Sequence, residues 1–453
     1  MRRLAMRQLG FWLDSPNRKP LILCGARQVG KTWLLREFGR QHFERTAYIS
    51  FDNNDRMPAL FEGSLSPSRL LPILQIEAGC RIDERTLLIL DEVQEVPRAL
   101  QSLKYFCEEA PEIPVVAAGS SLGIALKGRK ATGAPEQSRH ASFPVGKVSY
   151  LDLYPLSFIE FLYAIGQDML ADTVQALDWG ALSVFHGRLN ELLRSYLYVG
   201  GMPEAVLAFT DGHDIIRARD VQRELLRSYD ADFSKYATND LAERIRLVWR
   251  AVPANLAKEN RKFMFSKVSK SARAREFEDA LQWLIDSSLA HQVRCVSGTE
   301  APLASHEDEG VFKVYLHDVG LLGALNNLDA RLLLEGNDLF SSYKGSLAEQ
   351  LALQEIIAAG QEGSPHYYKN EKTRSEIDFI VDGNRIIPSI LPIEVKSGEN
   401  VQAKSLTAYA KKYSPERALR CSLRPHSVDG IIEDVPLYAL GSYFRQNITG
   451  MAR

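Results

Sequence analysis

The stretch Leu21-Ile-Leu-Cys-Gly25-Ala-Arg-Gln-Val-Gly30-Lys31-Thr32 decides the fold of the N-terminal part of the chain. It fits the pattern GxxxxGK[ST], with the apolar run LILC before it and the helical pattern WLLREFGRQ after it. Glycines let the backbone wrap closely around a phosphate, and the amide N–H groups at a helix N-terminus attract anions. The pattern therefore predicts a phosphate-binding loop formed by Gly25, Ala26, Arg27, Gln28, Val29, Gly30, Lys31 and Thr32.

Two acidic residues that end a second apolar run supply the other half of the predicted site. Leu87–Leu90 reads as a buried strand, and Asp91 and Glu92 follow it directly. In this chemistry Lys31 reaches the β- and γ-phosphates and the Thr32 hydroxyl ligates Mg²⁺. We expect Asp91 to hold the metal directly or through water, and Glu92 to activate the attacking water. The alternative is a strand that merely ends in acids at its solvated tip.

Further short apolar runs alternate with helical patterns up to about residue 153. The runs AYISF (47–51) and PVVAAG (114–119) complete a set that predicts a parallel sheet covered by helices on both faces. Ser120 follows the last of these runs, where a polar residue can contact the γ-phosphate or the attacking water. A serine at the end of a strand is also ordinary, so both interpretations stay open.

Length and composition restrict the class of protein. A chain of 453 residues exceeds one ordinary core, so two or three domains are expected. The 55 basic and 57 acidic residues nearly balance, which argues against a protein coated in positive charge. The scattered cysteines at 24, 80, 107, 295 and 421 favour reduced thiols over disulfides or a zinc site. No apolar stretch has the length of a membrane helix, so a cytoplasmic location is expected.

The pattern along the chain predicts an α/β protein of four parts. These are a nucleotide-binding domain (1–153), a helical lid (154–240), a winged-helix-like unit (241–330) and a C-terminal α/β domain (331–453). The start of the chain reads as an amphipathic helix with Leu4, Leu9, Phe11 and Trp12 partly buried, and a helix near Glu243–Lys258 is expected to kink or break at Pro253.

Six motifs together resemble a widespread bacterial and archaeal ATPase family. They are GARQVGKT, LLILDEVQ, AAGSSL, LYPLSFIEFL, VGGMPEAV and FKVYLHDVGLL, in the family's order. Its members join an AAA-type ATPase domain, related to STAND-type ATPases, to a C-terminal domain of unknown function (4143). The resemblance implies ATP and Mg²⁺ as cofactors.

The same resemblance implies two further nucleotide contacts. Pro203 resembles the proline that packs on adenine, although a glycine- and proline-rich segment can also be a plain helix break. An arginine finger is expected near the PLS motif, but Gly128-Arg129 lies further upstream and Gly146-Lys147 occupies the nearer position. Lysine is a poorer bidentate partner for phosphate than arginine.

The predicted winged-helix-like unit carries a basic cluster that can contact DNA phosphates. It consists of Lys267, Lys270, Arg273 and Arg275. A solvated face, or a lid over the nucleotide, is the favoured explanation of the same residues. Asp318 opens an apolar helical run and is expected to be its N-cap.

The C-terminal pattern resembles the metal site of PD-(D/E)XK nucleases. Asp378 lies on a predicted strand, Glu394 and Lys396 share one face of another, and Glu349 lies on a preceding helix. In such nucleases carboxylates bind Mg²⁺ and the lysine stabilises charge. Solvated acidic strands need no function, and a nuclease-like fold can also survive as an interaction module.

The sequence is therefore compatible with three functions, of which the first is favoured. The first is an ATPase that couples its nucleotide state to the C-terminal effector domain and acts on an unknown protein partner. The second is an ATP-gated DNA nuclease, and the third is a non-enzymatic winged-helix regulator that binds DNA.

Overall fold

The structure is a computed structural model in which two β-sheets are joined by a helical segment. It describes residues 1–120, 122–126, 146–257, 262–268, 274–330, 341–361, 365–370, 375–383, 389–398 and 404–448. The predicted surface loop 128–146 and the Gly128-Arg129 pair therefore lie outside the described residues, apart from Gly146.

The N-terminal sheet, called sheet A, is parallel throughout, as the alternating pattern predicts. Its strands are β1 (Leu21–Cys24), β2 (Arg45–Ser50), β3 (Thr86–Asp91), β4 (Val115–Ala118) and β5 (Ser149–Asp152). Their order across the sheet is β2-β3-β4-β1-β5. Strand β4 thus lies between β1, which leads into the glycine-rich loop, and β3, which ends in Asp91. All three carboxyl ends meet at one edge of the sheet.

Successive residues of the sheet A strands enter two different hydrophobic cores. Leu21 and Leu23 pack into one core, whereas Ile22 packs into the other, and β3 divides its residues in the same way. Because side chains alternate along a strand, this division requires helices on both faces. The prediction of a sheet covered on both faces is confirmed.

The helices fall largely where the apolar spacing predicts them. They are α1 (Ala5–Leu13), α2 (Lys31–His42), α3 (Met57–Leu60), α4 (Pro67–Ala78), α5 (Pro97–Glu109), α6 (Leu122–Leu126), α7 (Phe158–Ala164), α8 (Asp168–Ala176), α9 (Trp179–Val184), α10 (His186–Val199), α11 (Pro203–Thr210), α12 (Ile215–Tyr236), α13 (Asn239–Leu256), α14 (Ala274–Asp286), α15 (Val319–Leu325), α16 (Ser341–Ala358), α17 (Lys404–Tyr413) and α18 (Leu440–Asn447). Among the helices described, none is both long and apolar enough to cross a membrane.

Three local predictions have different outcomes. Asp318 does cap α15, since its Oδ1 accepts a hydrogen bond from the Leu321 amide at 2.9 Å. Helix α13 continues through Pro253 to Leu256, so the helix does not break there, and the alternative of a kink stays a prediction. Phe11 was expected to be partly buried, but it is 57% exposed while Leu9 and Trp12 on the same helix are buried.

The second sheet, called sheet B, has eight strands of mixed direction. They are β6 (Ala290–Val296), β7 (Glu307–Leu316), β8 (His366–Asn370), β9 (Ser375–Val381), β10 (Leu391–Val395), β11 (Ala418–Ser422), β12 (Ser427–Asp429) and β13 (Ile432–Pro436). Strand β6 pairs in parallel with β8, so sheet B takes strands from both sides of residue 330. The hairpin β6–β7, expected as a wing, forms one end of this larger sheet.

Candidate nucleotide site

The loop between β1 and α2 has the backbone geometry of a phosphate-binding turn. Gly25 and Gly30 have φ angles of 142° and 95°, a region that suits glycine. A Cβ on Gly25 would also lie 2.3 Å from the Leu153 carbonyl oxygen, so no larger residue fits there without a shift. Helix α2 begins at Lys31, directly after this turn. Its first amide groups therefore face the loop.

Lys31 is buried in the loop that precedes it. Its side chain is 7% exposed, and its Nζ donates hydrogen bonds to the carbonyl oxygens of Gly25 and Ala26, both at 2.8 Å. Burial lowers the pKa of the ammonium from its usual value to about 8, against the opposing attraction of Glu92 and Asp91. A bound phosphate would offer this ammonium a charged partner in place of two neutral carbonyls.

Thr32 and Asp91 meet across the mouth of the loop. The Thr32 hydroxyl donates a hydrogen bond to Asp91 Oδ2 at 2.7 Å, and the Tyr48 hydroxyl donates to the same oxygen at 2.9 Å. Asp91 is buried at the end of β3. A hydroxyl and a carboxylate are oxygen ligands suited to Mg²⁺. The two residues predicted to hold the metal are thus neighbours in space, although the chain separates them.

Glu92 is held at the end of the neighbouring strand β4. Its Oε2 accepts hydrogen bonds from the Ser120 amide at 3.0 Å, the Ser120 hydroxyl at 3.1 Å and the Gln94 amide group at 2.6 Å. Burial opposes ionisation of Glu92, but these hydrogen bonds and the charge of Lys31 outweigh it and lower the pKa. The carboxylate is therefore charged and oriented at neutral pH, as a general base requires.

Arg27 and Pro203 connect the loop to the helical segment. Arg27 forms an ion pair with Asp232 of α12, and its carbonyl oxygen accepts a hydrogen bond from Tyr229 at 2.9 Å. Pro203 lies beside the loop, since its Cγ is 3.6 Å from the position that a Cβ on Gly30 would occupy. The helical segment thus contacts the nucleotide loop directly.

Arg3, which was not predicted from the sequence, contacts the loop from the other side. Arg3 is buried, and its Nη1 donates to the Val29 carbonyl at 2.9 Å, while its Nη2 donates to the Tyr154 carbonyl at 2.6 Å. Its Nε donates to Glu160 on α7 at 3.0 Å. No local motif marks Arg3, because its partners lie far away in the sequence.

The basic residues named from the sequence are only partly described. Lys147, in the nearer arginine-finger position, forms an ion pair with Glu108 at 2.9 Å. Lys267 is exposed on a short turn of 3₁₀ helix. Lys270, Arg273 and the side chain of Arg275 lie outside the described residues. The DNA contact and the finger therefore stay predictions.

The C-terminal carboxylates fall into two groups. Glu394 Oε1 lies 2.7 Å from Lys396 Nζ. Burial raises the pKa of Glu394, and the negative charge of the nearby Asp378 also acts to raise it. Glu349 instead accepts a hydrogen bond from the Tyr315 hydroxyl at 2.9 Å. Across the described ranges, no three His, Cys, Asp or Glu side chains form a group that could hold a metal ion. The metal set predicted from Glu349, Asp378 and Glu394 therefore stays a prediction.

A buried lysine supplies the positive charge beside Glu349. Lys313 Nζ lies 3.7 Å from Glu349 Oε2 and 2.7 Å from Glu376 Oε1, and the whole side chain is inaccessible to solvent. A buried carboxylate needs such compensation. On strand β7 the alternation of side chains places Lys313 and Tyr315 on one face, so both reach α16. Lys313 is thus a cationic neighbour of Glu349 that the sequence did not predict.

These features define the class of the N-terminal part. A glycine-rich loop between a buried strand and a helix faces an acid from a parallel strand two positions away in the sheet. This arrangement is that of a P-loop nucleoside triphosphatase domain.

Comparison with family models gives the same assignment in more detail. Residues 17–162 match an AAA domain, residues 190–332 match a domain of unknown function (DUF8612), and residues 344–440 match a domain of unknown function (DUF4143). The chain therefore joins an AAA-type P-loop ATPase domain to a C-terminal DUF4143 domain, as the motifs predict. The matches support ATP binding and hydrolysis, and the nuclease-like nature of the C-terminal domain stays a prediction.

Solved structures give only loose likenesses. A Walker-type ATPase of Pyrococcus abyssi is 15% identical with a TM-score of 0.43, and the alignment covers 72% of this chain and 95% of that one. The Aeropyrum pernix ORC1 protein in complex with DNA is 12% identical with a TM-score of 0.27, covering 71% and 91%. Caenorhabditis elegans PCH-2 is 12% identical with a TM-score of 0.19, and the alignment covers 37% of this chain and 43% of that one. These TM-scores support no functional conclusion, and no curated protein matches the sequence significantly.

Proposed function

We propose that the protein binds ATP with Mg²⁺ at Gly25–Thr32, hydrolyses it, and couples its nucleotide state to the C-terminal domain. The observation that carries this proposal is the 2.7 Å contact between the Thr32 hydroxyl and Asp91 Oδ2. It joins the two halves of the predicted metal site across three strands of sheet A. A chance match to the loop pattern would not bring a buried acid to the loop's first helical turn.

Each residue has a distinct role in this proposal. The loop amides and Lys31 hold the β- and γ-phosphates, and Thr32 and Asp91 hold Mg²⁺, which neutralises phosphate charge. Tyr48 orients Asp91 through their hydrogen bond. Glu92 orients the attacking water and accepts its proton, while Ser120 holds Glu92 at the end of β4.

The adenine base is expected beside Gly30, on the side where Pro203 lies. A proline ring carries no polar group and offers an apolar surface on which a base can pack.

Replacing Thr32 by valine tests the metal half of the site. The variant keeps the shape of the side chain but removes the oxygen ligand, so the gain in ATP affinity that Mg²⁺ gives should fall by roughly tenfold. The measurement is ATP titration by calorimetry with Mg²⁺ and with EDTA. Thr173→Val, at a half-buried position of α8 where the hydroxyl donates to the Met169 carbonyl, is the matched control and should behave as wild type. Equal Mg²⁺ dependence in Thr32→Val would contradict the assignment.

A nuclease activity is the second candidate, favoured by the adjacency of Asp378, Glu394 and Lys396. DNA would then be the substrate, and the middle unit would contribute phosphate contacts. We expect Asp378→Ala to abolish any cleavage of plasmid DNA in Mg²⁺ or Mn²⁺ while ATP binding persists. Cleavage that is unaffected by Asp378→Ala would assign the activity elsewhere. The pairing of Glu349 with Lys313 makes this candidate weaker than the first.

A further inference from the structure

A chain of buried polar contacts runs from the nucleotide loop to the C-terminal domain. It begins at the Val29 carbonyl, which is part of the phosphate-binding loop and accepts the 2.9 Å hydrogen bond from Arg3. Arg3 then contacts Glu160 of α7, and both side chains are almost inaccessible to solvent. A buried ion pair of this kind fixes geometry, because each charge left alone in the interior would be costly.

Glu160 contacts Arg3 and also holds the backbone at the start of α7. Its Oε1 also accepts from the Leu4 amide at 2.7 Å, and its Oε2 accepts from the Ser157 amide at 2.8 Å. The position of α7 is therefore tied to the position of Arg3, and through Arg3 to the loop.

The next contact crosses into the C-terminal domain. The amide of Phe158, the first residue of α7, donates a 2.7 Å hydrogen bond to Glu355 Oε1 on α16. Glu355 is buried, and its other oxygen lies against Gly441 of α18, where a Cβ would meet it at 2.1 Å. Arg445 of α18 interacts electrostatically with both Glu355 and Glu160. Two carboxylates, one from each domain, thus hold adjacent amides of α7.

We propose that Arg3 and Glu160 are positioning residues for the phosphate-binding loop, and that Glu355 ties their position to the C-terminal domain. The proposal rests on the proposed ATPase function and adds the route by which the two domains influence each other. When a triphosphate replaces the carbonyls as the partner of Lys31, the loop carbonyls adjust. Arg3 transmits that adjustment to α7 and thus to α16. Since such coupling is reciprocal, changes at Glu355 must alter ATP affinity.

The test is the ATPase kinetics of Glu355→Ala in the full chain. Removing the acceptor of the Phe158 amide should raise KM for ATP by roughly tenfold with a smaller change in kcat. Glu355→Gln keeps an oxygen acceptor and should restore KM to within about twofold of wild type. Asp434→Ala is the matched control, because it removes a buried carboxylate of the same domain whose partners, Arg420 and Ser427, are both C-terminal. Its KM should be unchanged even if its melting temperature falls.

The outcomes separate this proposal from the proposed function. If wild type hydrolyses ATP but Glu355→Ala and Asp434→Ala have the same KM as wild type, the coupling is wrong and the ATPase assignment stands. If wild type neither binds nor hydrolyses ATP, both are wrong. Should Glu355→Ala fail to fold, hydrogen exchange on wild type decides. Nucleotide should slow exchange of the α16 amides, and exchange that nucleotide leaves unchanged would overturn the proposal.

Discussion

Replacing Lys31 by alanine should reduce the ATP turnover number by roughly 100-fold or more. The substitution removes the ammonium group of the loop itself, which lies 2.8 Å from the carbonyl oxygens of Gly25 and Ala26. That charge would otherwise stabilise the negative charge of the γ-phosphate during transfer. Steady-state phosphate release measures the effect. Folding should survive, because alanine places no charge in a buried position.

Two controls make the Lys31 result specific. Lys19→Ala, in the segment before β1, removes a lysine that bonds the Gly146 carbonyl and should leave turnover unchanged. The second control is pH. Because Lys31 has a pKa of about 8 in the free protein, ATP affinity should be constant below pH 8 and decline above it, as the ammonium loses its proton. Lys31→Ala should lack this decline, and turnover close to that of wild type in the variant would contradict the assignment.

Replacing Glu92 by glutamine should separate binding from hydrolysis. The amide can still accept hydrogen bonds from Ser120 but cannot take a proton from water, so turnover should fall by about 100- to 1,000-fold. ATP affinity should stay close to that of wild type, since Lys31, Thr32 and Asp91 are intact. Calorimetry and single-turnover hydrolysis measure the two quantities.

The matched control for Glu92 is Glu95→Gln. Glu95 is an exposed acid three residues further on, in the 3₁₀ turn after β3, and its loss should leave turnover unchanged. If Glu92→Gln hydrolyses ATP at the wild-type rate, another group activates the water and the assignment of Glu92 is wrong.

The arrangement of the glycine-rich loop and the two acids could be predicted because the information for it is local. Glycines at 25 and 30 are spaced for one turn, and Asp91 and Glu92 directly follow a continuous apolar run. Parallel strands bring their carboxyl ends to one edge, so the meeting of Thr32 with Asp91 follows from the fold class. Ser120 follows β4, as the pattern predicts, but its hydrogen bonds to Glu92 were not predicted.

The contacts that hold the loop from outside could not be predicted in the same way. Arg3 and Glu160 are separated by 157 positions, and Phe158 and Glu355 by 197. Nothing near Arg3 distinguishes it from Arg2 or Arg7 in the same basic segment. Such pairs are decided by how whole helices pack, and no short motif records that packing.

The partners of the C-terminal acids also could not be predicted from sequence patterns. Glu349 has the spacing of a metal ligand. Whether such a carboxylate binds a metal ion or pairs with a lysine side chain depends on the strand that packs against it. Here Lys313 from β7 approaches Glu349, and β7 lies in the segment expected to be a separate wing. The sequence shows an acidic residue at position 349, but the partner of Glu349 is determined by the arrangement of sheet B.

ATP and metal binding at Gly25–Thr32 is tested most directly by a crystal structure of Glu92→Gln with ATP and Mn²⁺, in which anomalous scattering locates the metal. We expect a manganese peak bound to the Thr32 hydroxyl and the β- and γ-phosphates, facing Asp91 directly or through one water. Lys31 should then have left the carbonyls of Gly25 and Ala26 for the phosphates. A nucleotide bound elsewhere, or a metal peak remote from Thr32 and Asp91, would contradict it.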